Sequence, residues 1–254
     1  MKANWKGAIN FGLVNIPVKL YSATQQSNVD FDMVDRKSME RIHFQRVNEE
    51  TGREVKWKDI GKAYKLNNKY ILLDDEDFDN AAPEKSKIIE VNHFVEESEI
   101  DTIYYENSYY VEPEKSGSKA YALLREALSK TKKVGVAQFV MRTAEVLAVI
   151  KPLSKILVLS KIRFAQEIRN IDEFNLPAAN VVKPSELKVA ISLINQYSGK
   201  FNIEKFKDEY SSSLLKLIKA KSKGKKPVAK NVEISHTKTQ DLMDQLKASL
   251  KKAS

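Results

Sequence analysis

The chain has 254 residues, of which 42% are hydrophobic and 30% charged, with no cysteine and a formal net charge of +9. That is enough apolar material for a core, but no apolar run is long enough to span a bilayer. Disulfide frameworks and thiolate metal sites are excluded, and "MKANWKGAINFG" lacks the apolar stretch of an export signal, so a cytoplasmic location is expected.

The opening stretch "WKGAINFGLVNIPVKLYSAT" carries two alternating apolar rows, Ile9, Phe11, Leu13 and then Ile16, Val18, Leu20. The rows differ in parity. Pro17 and two glycines argue against a helix, and a single strand bent at Gly12 and Pro17, as at a barrel rim, accounts for the switch. Ile42, Phe44 and Arg46 alternate in the next stretch, followed by a "NEETGRE" turn with Gly52. "KYILLDDEDFDNAAPEKSKIIEVNHFV" predicts two short strands around an acidic loop. "IDTIYYENSYYVEP" predicts a hairpin turning at Glu106, Asn107 and Ser108.

"GSKAYALLREALSKTKK" changes period: Tyr121, Leu124 and Leu128 recur at helical spacing, with Ser118 placed to cap. "VGVAQFVMRTAEVLAVIKPLSKILVLSKIRF" then predicts an antiparallel meander of three strands. Many short strands with one inserted helix point to a closed or nearly closed β-barrel. Beyond residue 171, Leu187, Ile191, Ile194 and Ser198 follow helical spacing with Pro184 in the first turn. A second helix is predicted over "NIEKFKDEYSSSLLKLIKAKSKGK", then a basic linker, then a narrow apolar stripe at Leu242, Leu246 and Leu250.

Charge comes in blocks. Residues 36–69 hold ten basic and five acidic side chains, residues 74–114 two and fourteen, and residues 115–169 twelve and three. Residues 211–254 add eleven lysines against three acids. Alternating blocks of this size suggest one basic surface and an opposed acidic one, a polarity suited to a polyanion.

No catalytic constellation accompanies this charge. His43, His93 and His236 lie far apart, Gly199–Lys200 is followed by Phe201 rather than a P-loop Ser or Thr, and GxSxG and HExxH are absent. The acids of "LLDDEDFD" lack calcium-loop spacing. A non-enzymatic binder without cofactor or metal is expected.

Several stretches taken together resemble the bacterial Ku proteins: "WKGAINFGLVNIPVKLYSAT", "IDTIYYENSYYVEP", "KAYALLREAL", "VAQFVMR", "LVLSKIRFAQEI", "FKDEYSSSLLKLIKAKSKGK" and "DLMDQLKASL". The resemblance runs in order along nearly the whole chain. It implies a mainly β fold with helices, in which a Ku-type β-barrel carries an extended bridge that closes a DNA-encircling ring in the homodimer. The implied division is a core over residues 1–170 (bridge within about 36–115), a helical C-terminal arm over 171–221, and a basic tail with a terminal helix over 222–254. It further implies sequence-independent binding of double-stranded DNA ends and recruitment of the ATP-dependent DNA ligase D in non-homologous end joining, at the nucleoid. "VNEETGREV" has no cysteine, so a metal-binding variant of that region has no support.

A protein that accepts any end must touch phosphate rather than bases. The candidates within the implied bridge are Arg53, Lys56, Lys58, Lys62, Lys65 and Lys69. Lys130, Lys132, Lys133 and Arg142 come from the other basic block, and Lys221, Lys223, Lys225 and Lys226 from the tail. Two other classes remain open at this level: a basic β-barrel that coats nucleic acid without end preference, and a metal-dependent nuclease using Asp74, Asp75 and Asp77.

Overall fold

The computed structural model describes residues 1–81, 87–141, 144–178 and 182–224, together with 246 and 249. These divide into two compact units, Met1–Ser27 with Asp32–Asn170, and Asn28–Phe31 with the chain from Ile171 onward.

The first unit is built on a seven-stranded closed barrel. It opens with β1 (Trp5–Phe11) and β2 (Val14–Ser22), antiparallel partners in which Ile9 faces Ile16. The parity switch is therefore not a bent strand. It is a reversal through a two-residue turn, in which Gly12 takes φ +60 and Leu13 is fully exposed. Glycine with positive φ at the first turn position is the signature of a type II′ hairpin, whose twist matches its strands. Pro17 lies inside β2 opposite Ala8 and is not at a bend.

The barrel continues through β5 (Ile88–Glu96), β6 (Tyr105–Pro113), β7 (Lys133–Met141), β8 (Ala144–Leu153) and β9 (Ile156–Ile162), in the order β1-β2-β6-β9-β8-β7-β5. The β7–β8–β9 meander is as expected from the sequence. β6 is one continuous strand, so the expected hairpin at Glu106–Ser108 does not form. Those residues instead coincide with a register shift against β9 between Tyr105 and Ser108. Closure comes from β5 pairing parallel to β1. At that seam the Ala8 amide donates to the Lys87 carbonyl at 3.0 Å, and a Cβ on Gly7 would overlap that carbonyl and the Trp5 ring. Closing the ladder removes its edges, which suits strands this apolar.

The interior is filled by Ile9, Ile16, Val18, Leu20, Ile89, Val111, Ile150, Leu157 and Leu159, all essentially without solvent contact. Each such side chain contributes about 1.5–3 kcal/mol of apolar burial. Helix α2, residues Ser118–Thr131, supplies Tyr121, Leu124 and Leu128 to the same core. Ser118 is the first helical residue and does not cap, because its hydroxyl donates to the carbonyls of Glu114 and Lys115. The buried Ser160 is satisfied by Ser108, Oγ to Oγ at 2.9 Å.

Between β2 and β5 the chain leaves the barrel. Here lie β3 (Lys62–Leu66) and β4 (Lys69–Leu73), a separate two-stranded sheet, and the short helix α1 (Asp75–Ala81) where a loop is expected from the sequence. Asp74 and Asp77 build that helix start reciprocally, each carboxylate accepting the other's amide at 3.0 and 2.9 Å. Ile42, Phe44 and Arg46 form no named strand, only the flanking bridges Val34 to Arg41 and Val47 to Glu54.

The second unit contains α3 (Pro184–Tyr197), with Pro184 in its first turn, and α4 (Glu209–Ser222). The predicted single helix from Asn202 is interrupted: a 3₁₀ turn at Ile203–Lys205 precedes α4, which Asp208 caps by accepting the Ser211 amide at 2.9 Å. The linker and most of the terminal apolar stripe lie outside the described residues.

Candidate nucleic-acid interface

No described residue between Leu20 and Ile89 is buried. The segment Asp32–Ala81 is thus an arm without a core, ordered by turns and short ladders. At one turn Asp35 accepts from the Lys37 amide and the Ser38 hydroxyl, both at 3.0 Å, which holds its carboxyl below the usual aspartate value. At the next, Asn48 accepts the Thr51 amide at 2.9 Å and Gly52 takes φ +64, returning the chain so that the Val55 amide reaches the Arg46 carbonyl at 2.8 Å. This pairing places the Arg46 guanidinium 4.6 Å from the centre of the Trp57 ring.

The β3–β4 hairpin turns at Asn67 and Asn68, with φ +47 and +65, the pair of positive angles a type I′ turn requires. Its register sorts the lysines. Lys62 faces Leu73, Tyr64 faces Ile71 and Leu66 faces Lys69 on one side of the sheet, while Ala63 faces Leu72 and Lys65 faces Tyr70 on the other. Lys62 and Lys69 therefore share a face that Lys65 does not. Lys62 lies 4.7 Å from the Phe78 ring and Lys65 5.7 Å from Tyr70, contacts worth about 0.5–1 kcal/mol at exposed sites. Arg53, Lys56, Lys58, Lys62, Lys65 and Lys69 are all exposed, and none makes a salt bridge among the described residues.

The second basic block behaves differently. Lys161 and Arg163 on or beside β9 bracket Glu106 of β6 at 3.2 and 2.9 Å. Lys151 of β8 pairs with Glu97, and Lys19 of β2 approaches Glu114 at 3.9 Å. Folding thus brings acids and bases from different sequence blocks into ion pairs on neighbouring elements. Lys130, Lys132 and Lys133 gather at the C-terminal end of α2, where cations complement the helix dipole. Lys132 takes φ +56 there, and with Lys133, Lys151, Ser129 and Glu97 it lines a cavity of about 270 Å³. Lys221 and Lys223 are exposed at the C-terminal end of α4. Arg142, Lys225 and Lys226 lie outside the described residues.

The aromatic side chains of the arm are further candidates, which charge alone does not mark. Phe44, Trp57, Tyr64 and Tyr70 all stand in solvent, Trp57 beside Arg46 and Tyr70 beside Lys65. Their interleaving with lysine is legible in "KWKDIGKAYKLNNKYILL".

His43 and His93 are exposed, and among the described residues no three His, Asp or Glu side chains are grouped to hold a metal ion. Nor is any described helix long and apolar enough to cross a membrane.

Comparison with known proteins addresses what carries such an arm. The family profile described as the Ku70/Ku80 beta-barrel domain matches residues 10–190. The chain belongs to the Ku family. It is 40% identical over 254 residues to the Non-homologous end joining protein Ku of Coxiella burnetii, covering 97% of this chain and 93% of that protein. The protein of the same name from Archaeoglobus fulgidus is 38% identical over 255 residues, covering 98% of each. That of Frankia casuarinae is 40% identical over 251 residues, with 98% of this chain and 63% of the longer relative aligned. The Ku match takes in the end of β1, the other six barrel strands, the whole coreless arm and the first part of α3.

Proposed function

We propose that two copies of this Ku-family chain form a ring around double-stranded DNA, loaded only where the duplex has an end, and that the ring serves non-homologous end joining. The observation that carries this reading is the arm Asp32–Ala81, which presents lysines, arginines and large apolar side chains together without burying any of them. A two-stranded sheet is marginal by itself, and apolar surface of this extent requires cover. A second copy supplies it over the β3–β4 hairpin, and an arm from each of two barrels is what encirclement needs. Phosphate contacts from Arg53, Lys56, Lys58, Lys62, Lys65 and Lys69 give affinity without base readout.

In this reading residues 1–170 form the DNA-holding core. Residues 171–221 form the arm that docks the ATP-dependent DNA ligase D, with Leu187, Ile191 and Ile194 exposed along α3. Residues 222–254 form a basic tail that touches DNA diffusely. The ring is a scaffold at the nucleoid and leaves bond formation to the ligase.

The test is a gel shift comparing a linear duplex with the same molecule covalently closed, across several salt concentrations. The linear form is retained with an affinity that falls steeply with salt, and equal capture of both forms refutes the ring. Equal capture is also what a barrel coating nucleic acid without end preference produces. Light scattering on the free protein reports the dimer mass.

A further inference from the structure

We propose that Trp57 is a stacking platform for the unpaired bases of a single-stranded overhang. The inference rests on the end-binding reading above and adds to it a second ligand class, single-stranded DNA. Trp57 opens a 3₁₀ turn, Trp57–Asp59, between Lys56 and Lys58, and is 73% exposed. An indole left in water forgoes the large apolar burial that makes tryptophan a core or interface residue. Its ring is also held in place: the Asn48–Arg53 turn brings Arg46 alongside, and the guanidinium lies 4.6 Å from the ring centre. A cation on one face of an exposed indole orients the ring and leaves area for a flat partner.

Every base has a π-face, so stacking tolerates any sequence, as a protein receiving arbitrary breaks requires. Lys56 and Lys58 are placed to follow the phosphates on either side. Glu54 and Asp59 belong to the same stretch, so charge alone does not single it out. The combination of an exposed, oriented indole with adjacent lysines does. Unpaired nucleotides are what remains at a staggered break once the duplex is held, and a ring gripping duplex phosphate makes no use of an aromatic plane.

The chain has two tryptophans, which makes the test direct. Trp5 is half-buried, edge-on to Phe139 with centroids 5.3 Å apart, and donates its indole N–H to the Val140 carbonyl at 3.1 Å. Subtracting the emission of Trp57→Phe isolates Trp57. The free protein shows red-shifted, iodide-accessible Trp57 emission. A duplex with an overhang of about ten nucleotides quenches it, and a blunt duplex of equal length does not. Trp57→Ala weakens binding to the overhang substrate about tenfold relative to the blunt one, and Trp57→Phe restores most of the loss. Equal quenching by both substrates, an unchanged overhang-to-blunt ratio in Trp57→Ala, or iodide-protected Trp57 in the free dimer overturns the proposal. Failure of the linear-against-circular comparison would instead strike the end-binding reading, because the overhang ratio is measured separately.

Discussion

Tyr121 donates its hydroxyl proton to the Val111 carbonyl at 2.7 Å, and the same oxygen accepts the Leu157 amide at 2.7 Å. Val111 and Leu157 are register partners of β6 and β9, so a helix side chain is inserted into the ladder where the two strands part. Tyr121→Phe leaves a buried donor and a buried acceptor unmatched, and should cost about 1–3 kcal/mol. Urea denaturation should show a lower midpoint at unchanged slope.

Tyr105 gives the contrasting case. Its hydroxyl is enclosed and has no partner among the described residues. Tyr105→Phe removes an unsatisfied polar atom and should be neutral or stabilising by the same measurement. A loss comparable to that of Tyr121→Phe would show that the Tyr105 hydroxyl is hydrogen-bonded in solution.

Alkaline stability follows from the same residues. Burial raises the Tyr121 phenol above its ordinary value of 10.0, and burial with the nearby Glu97 charge does the same for Tyr105. Above about pH 10 the unfolded chain loses these protons while the folded chain keeps them. The unfolded state then binds fewer protons, and stability falls as pH rises from 10 through the folded values. The decline in urea midpoint between pH 9 and 11 should be shallower in Tyr121→Phe than in the parent.

At low pH the relevant group is Asp208. Hydrogen bonds from the Ser211 hydroxyl and amide hold its carboxyl below the ordinary 3.8. The cap on α4 is present above that pH and is lost as pH falls through the folded value. Asp208→Asn, which can still accept, should retain the helical circular-dichroism signal at pH 3 better than Asp208→Ala.

At the barrel seam Gly7→Ala should lower stability by about 1–3 kcal/mol, because the added methyl meets the Lys87 carbonyl and the Trp5 ring. Gly12→Ala meets nothing within 4 Å, yet carries φ +60 and should lose about 1–2 kcal/mol through backbone strain alone. Thermal unfolding of both, with Leu13→Ser as an exposed control within about 0.5 kcal/mol, separates clash from conformation.

If the proposed ring is right, reversing Lys58, Lys62 and Lys65 to Glu should abolish DNA-end binding at moderate salt and leave the proposed dimer folded. Removing Lys58 alone should lower the slope of log affinity against log salt by about one. Anisotropy titrations across salt, with light scattering for the oligomer, test both statements. Because Lys65 lies on the other sheet face from Lys62 and Lys69, Lys65→Glu and Lys62→Glu should differ in effect.

Sequence pattern by itself determined the parts whose contacts are local. Helix α2 was legible in Tyr121, Leu124 and Leu128 because one helix face is written at spacings of three and four. The β7–β9 meander was legible because short turns leave successive strands little choice but to pair. The face switch at Gly12 is ambiguous in the sequence because a bulge and a two-residue turn shift parity alike, and only the Ile9–Ile16 pairing distinguishes them. Tertiary structure alone decided what depends on distant neighbours. Closure of β5 onto β1, the division of the arm's lysines between two faces, and the seating of Glu106 between Lys161 and Arg163 all arise from register. Charge along a chain is a one-dimensional record, and sheet pairing brings residues more than fifty positions apart within ion-pair distance, so blocks that alternate in sequence become neighbours in space.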